Sequence, residues 1–90
     1  MRIDLFLKKC RLIKHRSEAK QACENGIVRI DGQPVKPGKP VKIGQRIAID
    51  FTDRYLEIEV LDLPRGNVPK TLASQFYRRV KDEKKEVLDF

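Results

Sequence analysis

Few residues of this 90-residue chain could carry out chemistry, and none of them forms a recognisable catalytic group. His15, the single histidine, lies between Lys14 and Arg16, and no sequence feature offers it an orienting carboxylate. Cys10 and Cys23 have neither Cys-x-x-Cys spacing nor histidine partners, which argues against a zinc site. We interpret them as two small buried thiols, with a disulfide as the alternative. The sequence therefore predicts no catalytic residue, no metal ligand and no cofactor.

Two carboxylates, Glu57 and Glu59, are spaced so that both would lie on one face of a strand, as a general acid and base could. The same alternation is typical of the solvated face of a sheet, which is the simpler interpretation. Gly38 and Gly44 are isolated turn glycines and do not form the glycine-rich loop that binds phosphates. We therefore expect a binding protein and not an enzyme.

The strongest signal for function is a basic cluster near the N-terminus. Between Lys8 and Lys20 there are six lysine or arginine residues and one acidic residue, and the whole chain has a net charge of +7. This balance favours a polyanionic partner, with nucleic acid ahead of an anionic membrane or an acidic protein. Because the six aromatic residues lie mostly in apolar patterns, structured RNA read by its shape and phosphates fits better than stacked single-stranded bases. Charge alone does not separate RNA from DNA, and a merely solvated surface would show the same pattern.

Two short helices are expected to position this cluster. The first is predicted by apolar side chains at helical spacing, namely Ile3, Phe6, Leu7 and Cys10. Its opposite face, with Asp4, Lys8 and Arg11, is expected to be exposed to solvent, and Asp4 to pair with Lys8. Ser17 is predicted to cap the second helix, whose free N–H groups would suit a phosphate, and Gly26 to end it in a left-handed conformation.

After the second helix, the pattern changes from helical to extended. Asp31-Gly32 between two short extended segments predicts a hairpin with a two-residue turn, and Pro34 marks its second strand as an edge strand. Residues 46–51 and 55–63 alternate apolar and polar side chains, which predicts two strands with one buried face. The expected fold class is α+β, with the two N-terminal helices packed on a small, mostly antiparallel sheet.

The C-terminal part is predicted to be a basic, partly helical extension over residues 64–90, beyond a domain formed by residues 1–63. Pro64 and Pro69 bracket a linker, and the composition from Thr71 to about Lys85 favours a helix. This helix would carry an apolar stripe that repeats every fourth residue: Leu72, Phe76 and Val80.

The order of motifs along residues 1–50 resembles a known RNA-binding family. The motifs are Arg2-Ile3-Asp4-x-Phe6-Leu7, Arg11-Leu12, Ser17-x-Ala19, Gly26-x-Val28-x-Ile30-Asp31-Gly32, Val35 and Val41-x-x-Gly44-x-x-Ile47. They are similar to the RNA-binding domain named after ribosomal small-subunit protein S-four. The segment Arg11-Leu12-Ile13-Lys14-x-Arg16 resembles in particular the family of the bacterial ribosome-associated quality-control factor P, which is related to heat-shock protein fifteen. Residues from Pro64 onward match the family poorly.

The resemblance implies a non-catalytic factor that binds the large ribosomal subunit when peptidyl-tRNA obstructs it. Its partners would be large-subunit ribosomal RNA, peptidyl-tRNA and a quality-control tailing factor, in support of C-terminal tailing of the stalled chain. Matched family positions, together with Lys8 of the basic cluster, make up the expected RNA-binding set: Arg2, Lys8, Arg11, Lys14, His15, Arg16, Ser17 and Lys20. The same match implies that Asp4 orients an arginine. The residue after Gly44 is usually aspartate in the family, whereas this chain has Gln45.

Other functions are also compatible with these residues. One is recycling of stalled large subunits, as in heat-shock protein fifteen, and another is a protein-interaction module that uses the amphipathic tail. An RNA-modifying enzyme such as a pseudouridine synthase would need a catalytic domain for which 90 residues leave no room. No apolar run is long enough for a membrane span, and the N-terminus lacks a signal-peptide pattern, so we expect a cytoplasmic protein with no membrane partner.

Overall fold

The computed structural model describes residues 1–86, so the last four residues of the predicted extension lie outside the described residues. The elements, in chain order, are α1 (Ile3–Lys9), α2 (Arg16–Glu24), β1 (Val28–Ile30), β2 (Gln33–Pro34), β3 (Arg46–Asp50), β4 (Arg54–Val60), a 3-10 helix (Lys70–Phe76) and β5 (Tyr77–Lys84). Within residues 1–86, no helix has the length and apolar character required to cross a membrane.

All five strands form one antiparallel sheet in the order β2-β1-β3-β4-β5. The predicted hairpin is confirmed: Asp31 and Gly32 join β1 to β2 with φ angles of 50° and 83°. These positive angles match the right-handed twist of the flanking strands. Pro34 lies in β2, at the edge of the sheet, where its missing N–H removes no bond to a further strand.

The core is a single layer between the helices and the apolar face of the sheet. It combines the predicted stripe of α1 with alternate residues of the strands, and these side chains are buried: Ile3, Phe6, Leu7, Cys10, Ile47, Ile49, Leu56, Ile58 and Val60. The α+β prediction is therefore confirmed, with Ala19 and Cys23 of α2 in the same cluster. Because the core holds both helices against the sheet, the loop between them has a defined position on the surface.

The two helix termini differ from the prediction. Asp4, expected to face solvent and to pair with Lys8, is completely buried and contacts two arginines instead. Helix α2 begins at Arg16, two residues earlier than expected, so Ser17 lies inside the helix and does not cap it. The residue at the capping position is His15, which makes no capping hydrogen bond through its side chain. Gly26 follows the end of α2 with a φ of 72°, as predicted.

The predicted helix over residues 71–85 is wrong beyond Phe76. Residues 77–84 form β5, which pairs along the full length of β4, and Tyr77 is buried against the core. Helix-forming composition is a weak local preference, whereas the free edge of β4 offers a row of backbone hydrogen bonds. Only the 3-10 helix remains of the expected helical segment, and its Leu72 is exposed. The extension thus adds a strand to the sheet formed by the preceding residues.

Both cysteines are free and buried, as predicted. Burial raises the pKa of the Cys10 thiol to about 12. Burial, with a smaller contribution from the carboxylates of Asp4 and Glu24, raises the pKa of Cys23 to about 11. At neutral pH both thiols therefore remain protonated and act as small apolar side chains.

Candidate nucleic-acid interface

A buried carboxylate joins the beginnings of the two helices. The Nε and Nη2 atoms of Arg2 donate to the two carboxylate oxygens of Asp4, each at 3.2 Å, and the Nε of Arg16 lies 3.5 Å from Oδ2. The backbone N–H of Leu5 donates to Oδ1 at 2.8 Å. Because a buried charge is costly unless it is paired, these contacts stabilise the ionised carboxylate and hold both guanidinium groups in place.

The two arginines also face solvent. Their side chains are 48% and 45% exposed, whereas the side chain of Asp4 is 0% exposed. Each guanidinium has five N–H donors, so contact with one carboxylate leaves further donors directed outward. This arrangement can bind an anion such as a phosphate with two oriented, permanently charged groups.

The N-termini of the two helices differ in their capacity to bind an anion. In α1, the N–H groups of Ile3 and Asp4 donate to the carbonyls of Lys39 and Pro37, at 2.8 Å and 3.2 Å. In α2, the N–H groups of residues 16–18 have no acceptor among the described residues. Only α2 therefore presents free N–H groups and a positive dipole end to a phosphate, next to the side chain of Arg16.

All eight residues of the expected RNA-binding set are exposed, and they fall into two groups. The first group surrounds the start of α2 and consists of Arg2, His15, Arg16, Ser17 and Lys20. The second group lies at the end of α1 and in the connection to α2, and consists of Lys8, Arg11 and Lys14. The His15 Nε2 atom is 3.9 Å from Glu18 Oε1, and its side chain is 59% exposed. The structure thus places the set on one pair of helices, at opposite ends of α1.

An open groove of about 730 Å³ separates the second group from the linker of the extension. Its lining includes two lysines that the sequence did not assign to the site, Lys9 and Lys70. The Nζ atom of Lys9 donates to the carbonyl of Gly66 at 2.8 Å, across 57 positions of sequence. Only the tertiary fold brings these residues together, and no local motif marks Lys70 as part of a site.

Several cations on or beside the sheet differ from those that line the groove because acidic neighbours pair with them. Arg78 donates to Glu59 at 2.6 Å, Arg54 lies 3.7 Å from Asp82, and Lys85 pairs with Asp50. Glu59, considered above as one of a carboxylate pair, is thus held by an arginine on the outer face of the sheet.

Comparison with known proteins agrees with this architecture. Residues 1–47, which contain both helices and the hairpin, match the S4 domain, so the fold and its basic face define an S4-domain protein. The RQC P-site tRNA stabilizing factor of Halalkalibacterium halodurans is 39% identical over 83 residues, which cover 92% of this chain and 93% of that protein. The chain belongs to this family.

Further relatives extend the agreement into the C-terminal extension. The RQC P-site tRNA stabilizing factor of Bacillus subtilis is 34% identical over 84 residues, which cover 93% of this chain and 96% of that protein. A trimeric structure of Vibrio cholerae Heat Shock Protein 15 superimposes with a TM-score of 0.82 at 32% identity, covering 89% of this chain and 81% of that one. These alignments include most of the residues after Pro64, whereas the match to the S4 domain ends at residue 47.

Proposed function

We propose that this chain is a non-catalytic RNA-binding factor that acts in ribosome-associated quality control. It binds large ribosomal subunits obstructed by peptidyl-tRNA, through ribosomal RNA and tRNA, in the cytoplasm. The observation that carries the proposal is the pair of arginines held by the buried Asp4 beside the uncapped start of α2. The names of the relatives, which stabilise tRNA in the P site, support the choice of RNA and of the ribosome.

The chemistry of the site suits RNA phosphates. Arg16 offers guanidinium N–H donors next to the free backbone N–H groups of α2, and Ser17 adds a hydroxyl on the same turn. Arg2 supplies a second planar cation on the other side of the Asp4 carboxylate. A rigid site of this kind binds a phosphate without recognising a base, so specificity comes from the shape of a folded RNA.

Within this function, the chain supports C-terminal tailing of the stalled nascent chain, together with a quality-control tailing factor. A protein that stabilises tRNA in the P site keeps the attached nascent chain where residues can be added to it. The activity named for the relatives and the anion-binding geometry described above support this part of the proposal.

Crosslinking with sequencing of the bound RNA tests the proposal. The full chain is crosslinked in cells, large subunits are isolated on sucrose gradients, and the RNA attached to the protein is sequenced. We expect large-subunit ribosomal RNA and tRNA from obstructed subunits. Recovery of messenger RNA or DNA alone, or an absence of the protein from large subunits, would refute it.

Recycling of stalled large subunits is the second candidate, and the similarity to Heat Shock Protein 15 favours it. The two functions differ in the fate of the tRNA. If the chain stabilises peptidyl-tRNA, adding it to purified obstructed subunits slows release of the tRNA. If it recycles the subunits, the tRNA leaves the P site when the protein is added.

A further inference from the structure

Residues 61–76 form a loop that leaves the sheet after β4 and returns to it before β5. The N–H groups of Leu61 and Asp62 both donate to the carbonyl of Phe76, at 2.9 Å and 3.3 Å, so the two ends of the loop are joined. Pro64 is buried, which anchors one arm of the loop. Compact surface loops with closed ends are frequently functional. This one brings residues 66–70 next to the end of α1.

Two cations of the α1 end hold the loop in place. The Nζ atom of Lys9 donates to the carbonyl of Gly66 at 2.8 Å, and the Nη2 atom of Arg11 donates to the carbonyl of Val68 at 3.3 Å. Gly66 has a φ of 72°, a conformation in which glycine is favoured. Because both acceptors are neutral carbonyls, the contacts position the two side chains without neutralising their charge.

The resulting groove is strongly and uniformly basic. Five cations line it, and no acidic residue does: Lys8, Lys9, Arg11, Lys14 and Lys70. None of the five has a carboxylate within ion-pairing distance among residues 1–86, in contrast to Arg78, Arg79 and Lys81 of β5. Concentrating unpaired charge in one concave surface raises the local concentration of an anionic partner.

We propose that this groove binds the sugar–phosphate backbone of double-helical RNA and that Lys70 contributes a phosphate contact from the extension. The inference deepens the proposed function, on which it rests, by assigning an RNA contact to the loop outside the S4 domain. The groove has an open shape and no aromatic side chain in its lining, which suits a backbone better than unpaired bases.

The groove and the arginine pair, Arg2 and Arg16, lie at opposite ends of α1. The seven residues of α1 separate the two sites by about 10 Å along the helix axis. Successive phosphates of one nucleic acid strand are spaced more closely than this separation, so both sites fit one nucleic acid surface. An acidic peptide is the less suitable occupant, because peptides commonly add to free backbone groups, and the carbonyls of Gly66 and Val68 already accept hydrogen bonds from Lys9 and Arg11.

The test compares Lys70→Ala, Lys70→Arg and Lys84→Ala in the full chain. Lys70 and Lys84 are both exposed, but Lys84 lies at the end of β5 and does not line the groove. The probes are a fluorescent RNA hairpin and purified large ribosomal subunits. Loss of one phosphate contact should weaken binding by about three- to tenfold for Lys70→Ala and lower the salt dependence by about one unit. Lys84→Ala should change binding by less than about twofold, since it removes an exposed point charge. Lys70→Arg should restore most of the affinity.

The outcomes separate this inference from the proposed function. Equal RNA affinities of Lys70→Ala and Lys84→Ala would overturn the proposal that the groove binds RNA. This holds even if Arg16→Ala weakens RNA binding, as the proposed function requires. If the unaltered chain binds neither the RNA hairpin nor the large ribosomal subunits, the proposed function itself is overturned. If a polyglutamate peptide binds the chain in a Lys70-dependent manner while RNA binding is independent of Lys70, the groove is a protein site and the inference is wrong. Circular dichroism confirms that each variant is folded before affinities are compared.

Discussion

The Oδ2 atom of the buried Asp4 lies 3.5 Å from the Nε atom of Arg16, although the two residues are 12 positions apart. The carboxylate at the start of one helix thus positions a cation at the start of the next. This relationship turns an acidic residue into part of a site for an anion.

We predict that Asp4→Asn weakens RNA binding although it makes the chain more positive. Without the carboxylate, Arg2 and Arg16 lose the partner that orients them, and a loss of about three- to tenfold is expected for charge-assisted contacts. Anisotropy titration with a labelled RNA hairpin measures this.

Asp53→Asn is the matched control, since it removes the same charge from an exposed turn between β3 and β4. If long-range charge alone governed binding, both variants would bind RNA more tightly than the unaltered chain. That result would contradict the positioning role of Asp4.

Arg16→Ala is expected to reduce association with large subunits more than Lys84→Ala, although each removes one positive charge. Arg16 combines a half-exposed guanidinium with the free N–H groups of α2, so its loss should cost about 1–3 kcal/mol of binding free energy. Lys84 is an exposed point charge, for which a few tenths of a kcal/mol, roughly, are expected. Cosedimentation with large subunits, after circular dichroism has confirmed folding, gives the comparison. Equal losses would favour a diffuse basic surface.

Binding to RNA should fall steeply with salt. If about five or six phosphates are neutralised, the logarithm of the binding constant should fall with the logarithm of salt concentration with a slope of about −4.5 to −5.5. Titration of ribosomal RNA fragments at several ionic strengths determines the slope. A flat plot would be incompatible with recognition through phosphates.

The buried thiols should make folding stability sensitive to high pH. In the folded chain the pKa of Cys10 is raised to about 12 and that of Cys23 to about 11, whereas the thiols of the unfolded chain ionise near their ordinary pKa of 9.0. The contribution of the protonated thiols to the free energy of unfolding is therefore complete below about pH 9. It is lost as the pH rises, by up to about 1.4 kcal/mol per pH unit for each thiol. Urea unfolding at about pH 8 and about pH 10 tests this dependence.

The alanine variants are the controls for the thiols. Cys10→Ala and Cys23→Ala should each lower the free energy of unfolding at neutral pH by about 1–2 kcal/mol and should weaken its dependence on high pH. RNA affinity per folded molecule should not change, because neither thiol reaches the surface. Rapid reaction of a native thiol with a bulky reagent would show that the burial is incorrect.

Tyr77→Ala should destabilise the fold, since Tyr77 anchors the first residue of β5 against the core. Its side chain is 9% exposed, and removal of a large buried ring costs about 2–4 kcal/mol. Tyr55→Ala is the matched control, because Tyr55 is only partly buried and belongs to the outward-facing residues of β4. Thermal unfolding of the two variants compares them. Equal midpoints would mean that β5 contributes little to the fold.

The features that depend on near neighbours in the chain could be predicted from the sequence. The turn at Asp31-Gly32 requires positive φ angles, which these two residue types adopt more readily than most. The apolar stripe of α1 and the apolar alternation along β4 follow from the periods of the helix and the strand. The residues that face the core could therefore be predicted. The exposure of the expected RNA-binding set could also be predicted, because charged residues remain at the surface unless they are paired.

Contacts between groups far apart in the chain could not be predicted from the sequence, because they depend on the complete fold. Asp4 lies at a position that helical spacing places on the solvent side of α1, yet arginines of two segments cover it. Residues 77–84 prefer a helix locally but pair with the free edge of β4, and this pairing positions the loop that carries Lys70 to the end of α1. These outcomes depend on contacts between residues far apart in sequence, whose free energies exceed the small local preferences that the sequence pattern reports.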